Sequence, residues 1–335
     1  MSPIHFDEDK MLKRRDLILA GGAAALASPA VAQSGPWPNK PVRVVVAFNA
    51  GGGIDIMTRI VCQELTRRFG TQFVVENRPG ASGNIGTAMV ARAEPDGYML
   101  SAISIGNVAF NMQLFNSLGY DPDKDLSYVM GLWELPNFLI VPTAHVPATN
   151  MAEFLAWARS RPRGSINFAT PGSGSTVNLT GATFAQKAGF EATSVSASDA
   201  QAIQLLLRGD IHYVTNQLPP FSDLIQEGRL RVLAVADRQR WAALPNVPTM
   251  AEAGIPDLAV ASWHMLGGPA GLPRDMVERL GSELRQILAD EALQRRLAVL
   301  GARVLASSPA DVQARLARER PIWAEMVRTS GARAE

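Results

Sequence analysis

Three segments of the sequence combine glycines, hydroxyl side chains and the start of a helical pattern. They are the first loop at residues 49–55 (NAGGGID), the second loop at 77–84 (NRPGASGN) and the third loop at 170–178 (TPGSGSTVN). The first turn of a helix leaves backbone N–H groups unpaired at the positive end of the helix dipole, so a carboxylate or phosphate can bind there without any lysine. We therefore predict an anion site built from these N–H groups and from the hydroxyls of Ser82, Ser173, Ser175 and Thr176. Any single loop could instead form only a tight turn.

The elements around these loops follow an α/β pattern. From Pro41 onward, apolar β-rich runs alternate with segments of helical period, which predicts an α/β fold with a largely parallel sheet. In such a sheet, the loops that follow the strands gather at one edge. We expect Asp55 to cap the helix that runs to Phe69, and Pro321 to end or kink the last helix.

The alternation of strands and helices breaks after about residue 138 and again near residue 237. A chain of 335 residues is long enough for two domains. We predict one lobe from residues 33–138 and 237–335, and a second lobe from the inserted residues 139–236.

Residues 1–32 have the features of a signal peptide: a basic stretch, an apolar run and a closing Ala-x-Ala motif. We predict cleavage after Ala32 and a mature protein outside the cytoplasm. The two arginines at 14–15 suit a twin-arginine signal, and the general secretory route is equally open. Met1 and Met11 are alternative starts.

Composition excludes several classes of function. A formal net charge of +1 lacks the attraction that a nucleic-acid-binding protein needs. The lone cysteine, Cys62, excludes an internal disulfide and a thiolate zinc cluster, and we expect it to be a buried helical residue; we predict no metal and no cofactor. The motifs GxSxG, HExxH, SxxK, GxxxxGK and GxGxxG do not occur, and the histidines His145, His212 and His264 are scattered among apolar residues. We therefore expect a binding protein and not an enzyme.

Five segments of the sequence carry a specific family resemblance: WPNKPVRVVVAFNAGGGIDIMTRIV, VVENRPGASGNIGTAMVARAEPDGYML, FATPGSGSTVNLTGATFAQKAG, LPNVPTMAEAGIPD and SWHMLGGPAGLP. Together they resemble the tripartite tricarboxylate transporter substrate-binding proteins, also called the Bug family, from about Trp37 to Gly331. The resemblance implies a type II periplasmic binding protein with two α/β lobes, a two-segment hinge and a ligand cleft between the lobes. It also implies a receptor that captures a small organic carboxylate and delivers it to the permease subunits of the transporter. We expect a monomer.

The resemblance further implies which residues bind the ligand. They come from a first pocket loop at residues 48–55, a second at 81–84, a third that carries Ser104, and the inserted lobe. The implied set is Phe48, Asn49, Gly52, Gly53, Asp55, Ala81, Ser82, Gly83, Asn84, Ser104, Ser173, Ser175, Thr176, Asn178, Ser198 and Asn216.

The chain departs from the family pattern at three places. The segment 196–198 (SAS) replaces a common YKG stretch, Asn178 stands where histidine is frequent, and Asn216 stands where aspartate is frequent. Because Asn216 brings no negative charge, we predict a roomier and less charged pocket. Such a pocket favours a plain or hydroxylated carboxylate, including an aromatic one, over an amino acid.

Three alternatives remain open at this point. The same fold and pocket would suit a periplasmic sensor that signals to a membrane partner, and a receptor without a cognate permease would have the same sequence. A more remote alternative is an esterase that uses Ser173 or Ser175 with His212.

Overall fold

The structure is a computed structural model that describes residues 37–330 and residue 332. Its strands are β1 (Val42–Val46), β2 (Phe73–Asn77), β3 (Met99–Ser104), β4 (Leu126–Pro136), β5 (Phe138–Pro142), β6 (Ile166–Thr170), β7 (Ala192–Ser196), β8 (Val214–Asn216), β9 (Leu230–Val235), β10 (Ala261–Pro269) and β11 (Arg303–Ser307). Its helices are α1 (Gly53–Phe69), α2 (Asn84–Ala91), α3 (Asn111–Leu114), α4 (Met151–Arg159), α5 (Thr176–Ala188), α6 (Asp199–Arg208), α7 (Ser222–Gln226), α8 (Arg274–Leu288), α9 (Glu291–Val299) and α10 (Pro309–Ser330).

The first sheet has the strand order β11-β4-β10-β3-β1-β2. Strand β1 pairs in parallel with β2 and β3, whereas β10 is antiparallel to β3 and β4, and β11 is antiparallel to β4. The sheet is therefore mixed, and the prediction of a largely parallel sheet is wrong. The reason is that β4 leads the chain out to residues 138–235 and β10 returns it, so these two long strands run in opposite directions.

The strands between residues 138 and 235 form two smaller sheets. Strand β5 lies between β8 and β9 and is antiparallel to both, while β6 and β7 pair in parallel. A single parallel bridge between Phe168 and Tyr213 joins the two sheets. The aromatic rings of Phe168 and Tyr213 also stack with centroids 5.2 Å apart, at the centre of an apolar core. No strand from this range pairs with a strand of the first sheet among the described residues.

Local sequence signals explain several helix ends. The side chain of Asn150 caps α4 by accepting a hydrogen bond from the N–H of Glu153. The last helix does not end at Pro321 but continues to Ser330. Contacts on both sides of the proline hold it in place: Arg320 donates to the carbonyl of Val108 at 3.0 Å, and the ring of Trp323 lies 5.0 Å from that of Phe110.

Candidate functional site

A small cavity lies where the first and third loops meet, and it encloses about 50 Å³. One side is formed by the first loop, the end of β3 and the beginning of β10, and the other by the end of β8 and the beginnings of α5 and α6. Of the residues that the sequence predicted, those lining this cavity are Phe48, Asn49, Gly52, Gly53, Ser104, Ser175, Thr176, Ser198 and Asn216. The fold thus brings segments that are far apart in the sequence around one enclosed space.

Two helices begin in the wall of the cavity, one on each side. Helix α1 begins at Gly53, and no side chain caps it at Gly52. Helix α5 begins at Thr176, where the hydroxyl of Ser175 accepts a hydrogen bond from the N–H of Asn178. The other first-turn N–H groups carry the positive ends of two helix dipoles, so a carboxylate in the cavity can be bound from both sides.

Two glycines bring the opposite walls into contact. A Cβ atom added at Gly52 would lie 2.8 Å from Oδ2 of Asp199, and one added at Gly53 would lie 2.6 Å from Oε1 of Gln217. Both distances are too short for a real Cβ atom. Glycine at these positions therefore permits the close approach of α6, and of the residue that follows β8, to the first loop.

Asp55 supports the first loop from behind and does not line the cavity. It lies in the first turn of α1, not at the N-cap as predicted, because the helix begins two residues earlier. Its buried carboxylate accepts hydrogen bonds from the N–H of Gly51 at 2.9 Å, from Asn77 at 2.9 Å and from Arg59 at 3.0 Å. Burial acts to raise the pKa of Asp55, but these hydrogen bonds and the Arg59 charge outweigh it, so the pKa lies below its ordinary value.

The second loop lines a neighbouring cavity of about 440 Å³ instead. Phe48 and Asn49 belong to both cavities, and the predicted residues that line only the neighbouring one are Ala81, Ser82, Gly83 and Ser173. The loop has left-handed backbone at Ala81 (φ 44°) and Ser82 (φ 52°), a strained conformation for residues other than glycine. The strained backbone places the Ser82 hydroxyl against the third loop, where it accepts a hydrogen bond from the N–H of Gly174.

Besides Asp55, two further predicted residues are buried outside the lining of both cavities. Oδ1 of Asn84 accepts hydrogen bonds from Asn111 at 2.8 Å and from the hydroxyl of Tyr120 at 3.2 Å. The side chain of Asn178 donates to the carbonyl of Ser173 at 3.3 Å. Both asparagines hold the loops that line the cavities.

The cavity wall also contains an acidic residue that the sequence analysis missed, Asp199 at the start of α6. The side-chain amide of Asn216 donates a 2.7 Å hydrogen bond to Oδ1 of Asp199. Burial raises the pKa of Asp199 to about 6, although this hydrogen bond acts against the rise. Asp199 thus brings to the cavity an acidic side chain that the argument from Asn216 left out, and the expectation of a less charged pocket stays a prediction. The sequence does contain a signal for this residue, because Asp199 directly follows segment 196–198, where the chain departs from the family pattern.

His264 is a second missed residue of the wall. It is only 2% exposed, its Nε2 lies 3.4 Å from the hydroxyl oxygen of Ser262, and its Nδ1 has no hydrogen-bond partner among the described residues. Burial lowers the pKa of His264 to about 3, so the ring is neutral at physiological pH.

The hydroxyl of Ser175 donates a hydrogen bond to the carbonyl of Gly172 at 2.6 Å, so the hydroxyl proton is bound within the third loop.

Residues 37–330 and 332 contain neither a candidate metal site nor a candidate membrane-spanning helix. No group of three or more His, Cys, Asp or Glu side chains in this range could hold a metal ion. Within the same residues, no helix combines the length and apolarity that crossing a membrane requires. Cys62 is buried in α1, as predicted, and burial raises its pKa to about 12.

Residues 57–330 match the family described as the tripartite tricarboxylate transporter family receptor. The chain belongs to this family. Its curated relatives include a UPF0065 protein of Bordetella bronchiseptica, which is 33% identical over 319 residues, covering 94% of this chain and 93% of the relative. The family is one of receptors, in agreement with the missing catalytic motifs.

Two solved structures show a similar fold. Rpa4515 of R. palustris with adipate is 33% identical, has a TM-score of 0.85, and covers 88% of this chain and 99% of its own. The periplasmic binding protein BugD is 30% identical, has a TM-score of 0.83, and covers 89% of this chain and 100% of its own. The fold is thus the two-lobed α/β fold of periplasmic binding proteins.

Proposed function

We propose that this family receptor binds a small organic carboxylate in the cavity between its two lobes and delivers it to the permease subunits of a tripartite tricarboxylate transporter. The observation that carries the proposal is the pair of helix N-termini, those of α1 and α5, that begin in opposite walls of one cavity. Adipate in the related R. palustris protein supports a carboxylate as the ligand.

The ligand carboxylate binds to backbone N–H groups and hydroxyls. Gly53 and Thr176 begin the two helices, and Ser104 and Ser175 supply hydroxyl groups to the same wall. No lysine or arginine lines the cavity among the described residues. Binding by helix N-termini needs none, because their partial charges are fixed by the backbone.

The lobes consist of residues 33–138 with 237–335, and of residues 139–236, and they close over the ligand. The two chain crossings lie side by side at Asn137, Ala236 and Val260. The N–H of Ala236 donates a hydrogen bond to the carbonyl of Asn137 at 2.8 Å. The N–H of Val260 donates one to the carbonyl of Ala236 at 2.7 Å. Two bonded crossings permit rotation and limit sliding, as in a hinge. Closure follows from contacts that the ligand makes only in the closed state.

The receptor is exported, works in the periplasm as a monomer, and loses residues 1–32 by cleavage after Ala32. Those residues lie outside the described part of the chain. The sequence features of a signal peptide and the periplasmic relative BugD support this assignment.

The test has two parts. Purified protein is melted with di- and tricarboxylates, aromatic carboxylates and amino acids, where a ligand at about 100 times its Kd stabilises the folded state by roughly 2.7 kcal/mol. The stabilising compound is then used, radiolabelled, in uptake assays with cells that lack the receptor gene. We expect uptake to fall in these cells and to return with the gene. Unchanged uptake would refute delivery, and the absence of any stabilising carboxylate would refute binding.

A further inference from the structure

The side chains of the cavity wall carry a negative charge and no positive one. Asp199 is the one residue of the described cavity lining that can carry a charge at neutral pH. His264, the other titratable lining residue, is neutral because burial lowers its pKa to about 3. The wall thus offers a negative side chain and no positive one.

The carboxylate of Asp199 is held in position. Asp199 is the first residue of α6, whose N-terminus is fixed by a capping box between Ser198 and Gln201. From β8, Asn216 donates a 2.7 Å hydrogen bond to Oδ1. Oδ2 accepts none of the described hydrogen bonds and faces the first loop at Gly52. One oxygen is therefore anchored, and the other is available to a donor on a ligand.

A dicarboxylate fits this wall poorly. Its first carboxylate can bind at the helix N-termini of α1 and α5, but its second would enter a cavity where Asp199 supplies the only charge. Like charges that are partly removed from water repel strongly. An ammonium group in the same place would be attracted to Asp199 and would donate a charge-assisted hydrogen bond to Oδ2.

We infer that this receptor selects small carboxylates that also carry a cationic nitrogen, with Asp199 binding the ammonium group and Asn216 positioning Asp199. The inference rests on the proposed carboxylate function and names the ligand class of the same site. It reverses the expectation drawn from Asn216 alone, because the charge missing at residue 216 is supplied at residue 199. It also separates this chain from the relative that holds adipate, a dicarboxylate.

The experiment compares ligands that differ only at the nitrogen. Binding of 6-aminohexanoate, hexanoate and adipate, and of phenylalanine and 3-phenylpropanoate, is measured by isothermal titration calorimetry at pH 7.5. The protein variants are the native chain, Asp199→Asn, and Asp210→Asn as a control. Asp210 is an exposed acid of the same segment that pairs with Arg208 and does not line the cavity.

We expect an amino-bearing ligand to bind the native protein roughly tenfold to a hundredfold more tightly than its partner without nitrogen, as for a hydrogen bond between charged groups. Asp199→Asn should remove this difference and strengthen binding of adipate, while Asp210→Asn should change neither. The inference is overturned if hexanoate, 3-phenylpropanoate or adipate binds the native protein as tightly as the amino-bearing ligands do. This comparison needs no variant, so a misfolded Asp199→Asn protein would not rescue the inference.

The outcomes also separate the two levels of the proposal. Tight binding of carboxylates without nitrogen would overturn the selectivity for nitrogen and leave the carboxylate receptor intact. Lack of binding by the wider carboxylate and amino-acid panel would refute the carboxylate receptor, and the inference would fall with it.

Discussion

The hydroxyl oxygen of Ser82 accepts a 3.0 Å hydrogen bond from the backbone N–H of Gly174. Ser82 belongs to the second loop and Gly174 to the third, so this bond links two loops that line the neighbouring cavity of about 440 Å³. The carbonyl of Ser82 is held in turn by the side-chain amides of Asn107 at 3.1 Å and Asn111 at 3.3 Å. Two side chains thus hold the Ser82 carbonyl, and in the proposed two-lobe arrangement the bond between Ser82 and Gly174 joins one lobe to the other.

Ser82→Ala should weaken ligand binding without unfolding the protein. The substitution keeps the Cβ atom and the backbone conformation but leaves the N–H of Gly174 without its partner in the closed state. A net loss of about 1 kcal/mol corresponds to roughly fivefold weaker affinity. Calorimetry on Ser82→Ala and on Ser165→Ala measures the effect. The hydroxyl of Ser165 is exposed and bonds only the nearby carbonyl of Pro162, so an equal loss in both variants would contradict a role in closure.

Asp199→Asn should stabilise the ligand-free protein above pH 6 and not below pH 4. The pKa of Asp199 is raised from 3.8 to about 6 in the folded state. Between these values the folded protein binds more protons than the unfolded chain, so the free energy of unfolding falls as pH rises through this window. Asparagine does not ionise, so the variant keeps the free energy of unfolding that the native protein loses as Asp199 ionises. Melting of both proteins at pH 4 and pH 8 gives the difference, and a variant that is less stable than the native protein at pH 8 would contradict the assignment.

Gly86→Ala and Gly281→Ala should have opposite effects on stability, although both residues lie inside helices. A Cβ atom at Gly86 would lie 2.6 Å from the carbonyl oxygen of Arg78 and 2.9 Å from Cβ of Ala47, which should destabilise the fold by about 1–3 kcal/mol. The nearest atom to a Cβ atom at Gly281 would lie at 3.8 Å. There, alanine should stabilise the helix by roughly 0.5–1 kcal/mol. Urea unfolding of the two variants measures the sign of each change in the free energy of unfolding. If Gly86→Ala left that free energy unchanged, α2 would pack less tightly on β1 than the structure shows.

Glu134→Gln should lower the free energy of unfolding by roughly 1.5–3 kcal/mol. Glu134 is 7% exposed and accepts hydrogen bonds from Arg303 at 2.6 Å and from Arg315 at 2.9 Å, so it joins β4 to β11 and α10. The matched control is Glu278→Gln, whose partner Arg274 lies at 2.7 Å on the surface of α8. Such exposed pairs contribute less than about 1 kcal/mol. Equal losses in the two variants would show that burial of Glu134 adds nothing.

The alternation of β-rich runs with segments of helical period predicted the α/β class, because each period is set by a few neighbouring residues. Strands β4, β10 and β11 were not predicted. Strand β10 contains the pair Gly267-Gly268 followed by Pro269, which resembles a turn. A Cβ atom at Gly267 would lie 2.7 Å from the carbonyl oxygen of Ser127, so that glycine serves the close approach of β4. This tertiary cause cannot be read from neighbouring residues.

The candidate site could be predicted only where loop chemistry is local. Glycines and hydroxyls before a helix pointed to Gly52, Gly53, Ser175 and Thr176, which line the cavity. Asp199 was overlooked because a serine and an acid before a helical pattern are explained by helix capping alone. That Asp199 meets Asn216 depends on the pairing of β8 with β5 and on the packing of α6, which no local pattern specifies.

Calorimetric titration of the native protein and of Gly53→Leu with small carboxylates, amino acids included, is the most direct test of the central claim. A leucine side chain at residue 53 would fill the cavity, since even a Cβ atom there would lie 2.6 Å from Oε1 of Gln217. We expect saturable binding of one carboxylate per native protein and no binding to Gly53→Leu, with both proteins folded. Binding that is equal in the two proteins, or no binding of any carboxylate to the native protein, would contradict a carboxylate site between the helix N-termini.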